Sequence, residues 1–98
     1  MENLDYLIIL YDYYGVLLSD DNKKYFEDYY FDNLSLGEIA DNANISRNAV
    51  HKHIKSAEAK LMFYEEKLRL YDNDKKLRNL LRDIDDEEIK NKIEEIFN

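Results

Sequence analysis

Between residues 34 and 61 the run LSLGEIADNANISRNAVHKHIKSAEAKL follows the order of two helices joined by a tight turn. Ser35 stands where an N-cap would, with Glu38 three residues on, so hydroxyl and carboxylate can satisfy backbone donors reciprocally. Leu36, Ile39 and Ala40 follow as a short apolar stripe at helical spacing. Asn42-Ala43-Asn44 interrupts it, and Asn44 suits the left-handed backbone of a tight turn. Ile45 is expected to return to the core, and Ser46 to cap a second, longer helix. Such a sequence reads as a helix-turn-helix, whose second helix can lie in the major groove of DNA.

The face of that second helix decides what it can touch. At 100° per residue, Val50, Ile54, Ala57, Leu61 and Leu68 fall close to one line, the expected core stripe. Asn48, His51, Lys52, Lys55 and Ser56 fall on the other side, with Arg47 at its edge. Arg and Lys neutralise phosphates, while Arg and Asn can make paired hydrogen bonds to base edges. We therefore expect nucleic-acid contacts from Arg47, Asn48, His51, Lys52, Lys55 and Ser56, those nearest the helix start lying closest to the bases. An ordinary solvated face in a small helical bundle has the same polarity and stays open as an explanation.

Charge complicates this reading. The chain carries −8 at pH 7, and nucleic-acid binding draws heavily on phosphate neutralisation. The distribution softens the conflict. Residues 1–33 hold eight acidic and two basic groups (−6), residues 34–68 five of each, and residues 69–98 nine acidic and seven basic (−2). Within residues 46–60 four basic groups face Glu58 alone, a local +3.

With no proline and only two glycines, the 98 residues should form an all-α fold of about six helices. The first should run from after Asn3 to about Val16, and the second from a Ser19 cap to near Asp32-Asn33, showing Tyr25, Phe26, Tyr29 and Tyr30 at helical spacing. The motif supplies the third and fourth, the latter expected to reach about Tyr71. Asp72-Asn73 should break or cap before a fifth helix marked by Leu77, Leu80, Leu81 and Ile84. Asp85 should cap a sixth with the stripe Ile89, Ile93, Ile96 and Phe97. The expected domains are a helix-turn-helix domain over residues 1–71 and a helical appendage over residues 72–98, packing on that domain or on a partner subunit. The nine tyrosines, concentrated in the acidic first third, suit core and interface packing better than base stacking.

Catalytic constellations are missing from the sequence, which reads as a non-enzyme. There is no glycine-rich phosphate loop, no Gly-x-Ser-x-Gly and no His-Glu-x-x-His. The absence of cysteine removes disulfides, thiol nucleophiles and cysteine-ligated metals. His51 and His53 point about 200° apart on a helix and cannot share a metal; His53 belongs near the core edge. No cofactor, metal or small-molecule substrate is expected. The apolar run over residues 4–18 is too short to span a bilayer and is interrupted by Asp5 and Asp12, and no basic secretory n-region precedes it. We expect a cytoplasmic protein without membrane insertion.

The chain resembles the YlxM family, small bacterial proteins with a helix-turn-helix like that of sigma-70 region 4. The resemblance rests on Tyr29-Tyr30, on Leu34 to Ala40, on Ser46 to Val50, on Ile54-Lys55 with Glu58, and on Tyr64-Glu65-Glu66-Lys67-Leu68. It covers roughly residues 4–71. The turn carries Asn44 where the family usually has glycine. His51, Lys52 and Ser56 differ from the aromatic, acidic or polar, and basic groups common at those places, so no base preference carries over. Because genes of this family neighbour those of signal recognition particle components, the resemblance implies a regulatory or accessory role in that pathway. Two functions follow. The first is a non-enzymatic DNA-binding regulator, with RNA as the other nucleic acid, acting as a homodimer joined along an apolar edge of the fourth helix (Leu61, Tyr64, Leu68, Leu70, Tyr71). The second is a protein-interaction adaptor of the signal recognition particle in which the motif is only a scaffold.

Overall fold

The computed structural model describes residues 3–97. Six α-helices and one 3-10 turn account for most of them: α1 (Asn3–Tyr14), the turn Gly15–Leu17, α2 (Asp20–Tyr30), α3 (Leu36–Ala43), α4 (Arg47–Leu68), α5 (Leu70–Leu81) and α6 (Glu87–Phe97). No strand occurs among the described residues, and the fold is all-α. No helix among them is long and apolar enough to cross a membrane. The chain divides into two compact units, one up to Leu68 and one from Arg69 onward.

Local signals set the helix starts of the first unit. The Ser19 hydroxyl accepts from the Asn22 amide at 3.2 Å, with Asp20 and Asp21 complementing the helix dipole in the first turn of α2. Ser35 and Glu38 close a full capping box: Ser35 N–H donates to Glu38 Oε1 (2.9 Å), and Glu38 N–H donates to Ser35 Oγ (3.1 Å).

Helices α2, α3 and α4 meet over Tyr25, Ile39, Ala40, Val50 and Ile54, with Tyr30, Leu34, Leu36 and Ala43 packed around them. Beside this trihelical core, α1 buries Leu7, Leu10 and Tyr14 and lies against α4, whose Ala57 and Leu61 are also buried. Leu68 does not join the stripe. It is half exposed, because the helix stops there, one turn short of the expected end. Ile45 likewise misses the core at 36% exposure, since the backbone of the turn and not its side chain closes the corner.

Tyrosines tie the first unit together. The Tyr11 ring stacks on Phe26 (centroids 4.8 Å apart, planes at 8°) and its hydroxyl donates to Glu27, joining α1 to α2. Tyr14 donates to Glu65 Oε1 at 2.6 Å, joining α1 to α4. Tyr30 donates to Glu58, joining α2 to α4. Burial, then the hydrogen bond to a carboxylate and its charge, push the Tyr11 and Tyr30 hydroxyls well above the ordinary tyrosine range.

In the second unit, Arg69 adopts a left-handed backbone (φ 55°, ψ 33°) and α5 begins at once at Leu70. Asp72 and Asn73 are therefore inside α5 and do not break the chain; Asp72 receives Lys76 at 3.0 Å one turn on, which holds its carboxyl below the usual range. Asp86, not Asp85, starts α6: its Oδ1 accepts from the amides of Glu88 (3.0 Å) and Ile89 (3.2 Å). Leu81 is buried here, whereas Leu77, Leu80, Ile89 and Ile96 stay exposed.

Candidate nucleic-acid interface

The turn between α3 and α4 is made by Asn44, left-handed at φ 58° and ψ 44°, whose amide N–H reaches the carbonyls of Ala40 and Asp41. Ile45 N–H then donates to Ala40 O at 3.1 Å, which fixes the corner. The Ser46 hydroxyl accepts from the Ala49 amide at 3.0 Å, and α4 starts at Arg47. Both caps and the turn residue stand where their chemistry places them.

Of the six candidate contacts, Arg47, Asn48, His51, Lys52 and Lys55 are exposed. Asn48, His51, Lys52 and Lys55 share one face at spacings of three and four residues. Among the described residues the side chains of Asn48, His51 and Lys52 make no hydrogen bond or ion pair within the chain. Arg47 has no ion pair either, but its guanidinium lies across Gly37 in the first turn of α3. A methyl group at Gly37 would stand 2.8 Å from it. Lys55 is partly neutralised, its ammonium 3.3 Å from Glu58 Oε1. Glu58 is in turn held by Tyr30.

Ser56 is drawn away from this face. Its hydroxyl accepts from Asn22 Nδ2 at 3.2 Å and it is half buried against α2, because position 56 lies at the border of the polar arc. Asn22 is only 4% exposed and also meets His53 Nδ1 through Oδ1 at 2.9 Å. The His53 ring packs on Tyr25 with centroids 5.2 Å apart, so His53 is the packed histidine that its angular position implies. No group of three or more His, Asp or Glu residues that could hold a metal occurs among the described residues.

Sequence reasoning missed Asn22, which reads as one more polar residue in a helix start. It also missed Gly37 as the seat of Arg47. Glu65 had a legible signal: it continues the spacing of Val50, Ile54, Ala57 and Leu61, a carboxylate on an apolar stripe in a tyrosine-rich chain. What remains at the N-terminal half of α4 is a solvated row of donors able to meet phosphate oxygens and base edges.

Two helices joined by a left-handed asparagine corner, the second with an open polar face at its start, define a helix-turn-helix protein. The chain belongs to the UPF0122 family, described as "Putative helix-turn-helix protein, YlxM / p13 like", which matches residues 1–98. A UPF0122 protein of Thermoanaerobacter sp. (strain X514) is 43% identical over 76 residues, 78% of this chain and 65% of that protein. The chain thus spans a little under two thirds of that relative's length. One from Shouchella clausii is 45% identical over 75 residues, 76% of this chain and 69% of its own. One from Fusobacterium nucleatum is 41% identical over 88 residues, covering 90% of this chain and 85% of the relative.

Proposed function

We propose that this chain is a non-enzymatic DNA-binding regulator that docks the start of α4 in the major groove. Arg47 and Lys52 meet phosphates, Asn48 and His51 face base edges, and Lys55 gives a weaker contact because Glu58 holds it. The observation that carries this reading is the exposed face of Asn48, His51 and Lys52, whose side chains make no hydrogen bond or ion pair among the described residues. The helix-turn-helix architecture supports it, because recognition helices of that architecture meet DNA with the residues at their start. Such a protein works in the cytoplasm and needs no cofactor. Two copies would offer two recognition helices to two half-sites. Leu61 is fully buried and cannot serve that pairing, whereas Met62 and Phe63 are exposed on α4 and can.

The test is fluorescence anisotropy with labelled duplex DNA over a salt series. We expect salt-sensitive binding, and a slope of log K against log salt that becomes shallower by about two in the Arg47→Ala/Lys52→Ala double variant. Wild-type affinity in that variant overturns the site, and no binding even at low salt overturns the function.

The −6 charge of residues 1–33 favours a second reading, an adaptor whose acidic surface meets a basic partner. In this reading the partner is the signal recognition particle, through its protein or RNA component. Capture of the particle's protein by a chain that ignores duplex DNA would select it.

A further inference from the structure

Seven of the chain's fourteen Lys and Arg residues lie from Arg69 onward, in a unit that the recognition helix does not include. Three of them, Arg78 and Arg82 of α5 and Lys90 of α6, line one open cleft of about 430 Å³ together with Leu81, Glu94 and Phe97. Arg78 is fixed from two sides: its guanidinium lies 4.0 Å from the Phe97 ring centre, and its Nε donates to Asp74 Oδ1 at 3.1 Å. Arg82 and Lys90 have no ion pair among the described residues. Among the described residues Glu94 is the one carboxylate lining the cleft, and with Asp74 on Arg78 the group of three cations and two anions stands at +1. Three other acids of this unit have partners outside the cleft lining: Asp72 pairs with Lys76, Asp86 caps α6 and Glu88 pairs with Lys92.

We propose that this α5–α6 cleft binds a backbone phosphate of duplex DNA. The inference rests on the DNA-binding reading above. Two guanidinium forks and an ammonium match the geometry of phosphate oxygens. An open groove rimmed by charge suits a polymer backbone; a small ligand would need enclosure and an apolar lining. The recognition face supports the same conclusion by its poverty, for among the described residues only Arg47 and Lys52 there are cations without a carboxylate partner. A chain at −8 that binds through phosphate neutralisation gains from further unpaired cations, and Arg82 and Lys90 add two to the two of the recognition face.

The experiment uses the whole chain and the same salt-titrated anisotropy. In the Arg82→Ala/Lys90→Ala variant the slope should flatten by about two, with affinity lost equally for all duplex sequences. Glu94→Gln should tighten binding several-fold, and Arg82→Lys/Lys90→Arg should restore most of the slope. Lys75→Ala/Lys92→Ala removes the same charge away from the cleft and should leave the slope near wild type. An unaltered slope in Arg82→Ala/Lys90→Ala, or an equal loss in the Lys75→Ala/Lys92→Ala control, overturns the cleft. If Arg47→Ala/Lys52→Ala still weakens binding in that case, the α4 reading stands without it. A wild-type chain that binds no DNA overturns both.

Discussion

Gly15 and Gly37 are the chain's two glycines, and a methyl group added at each would meet a neighbour of opposite character. At Gly15 it would come within 2.9 Å of the Tyr11 ring. That ring has nowhere to go: it is stacked on Phe26 and its hydroxyl is bonded to Glu27. The overpacking cost of about 1–3 kcal/mol should exceed what alanine gains in backbone entropy, so Gly15→Ala destabilises. At Gly37 the methyl would meet the far end of Arg47, an exposed side chain that can rotate into water. Gly37→Ala should therefore stabilise α3 by about 0.5–1 kcal/mol while displacing Arg47 from its resting place. Urea unfolding of the two variants checks this, and midpoints that move in the same direction contradict it.

At the scale of the element, each helix pair among α1, α2 and α4 is joined by one tyrosine–carboxylate hydrogen bond. Three tyrosines of the first unit thus find their partners among its carboxylates. The α2–α4 bond also reaches the binding face, since Glu58 accepts Tyr30 on one oxygen and Lys55 on the other. Glu58→Gln keeps an acceptor for Tyr30 but releases Lys55. DNA affinity should rise several-fold and the salt slope steepen by about one, with stability changed by less than about 1 kcal/mol, as for an exposed ion pair. A Glu58→Gln chain that binds no better than wild type shows that Lys55 does not meet phosphate. The elements themselves were largely legible in the sequence, because Ser19, Ser35, Asn44 and Ser46 act through neighbours a few residues away. Arg69 was not. Nothing local marks an arginine as left-handed, and so the end of α4 and the start of α5 were misplaced. Ser56 and Glu65 were harder still, since their partners Asn22 and Tyr14 lie 34 and 51 residues away. Helical spacing tells which way a side chain points, but not who waits there.

For the molecule as a whole, the same tyrosine bonds set the response to pH. Tyr11 and Tyr30 have hydroxyls raised above the ordinary value of 10.0, by burial first and by their hydrogen-bonded carboxylates second. The folded chain therefore holds protons that the unfolded chain releases. Their contribution to stability is complete below pH 10.0 and declines as pH rises beyond it. Self-repulsion acts in the same direction, because every tyrosine that ionises adds negative charge to a chain already at −8. The acid side differs. Glu38, held below 4.5 by the backbone and hydroxyl of Ser35, and Asp72, held below 3.8 by Lys76, stabilise the fold above those values and lose that contribution as pH falls through their lowered ones. There, however, approach to the isoelectric point near 4.7 removes net repulsion, so the two effects oppose. Thermal midpoints measured across pH should consequently fall more steeply from pH 10 upward than from pH 5 to 4. In the Tyr11→Phe/Tyr30→Phe chain the midpoint should be lower at pH 7 yet lean less on pH above 10, because two of the groups that carry the alkaline slope are gone. An alkaline slope as steep in that variant as in wild type would assign the whole decline to net charge and none to the bonds that pin the helices.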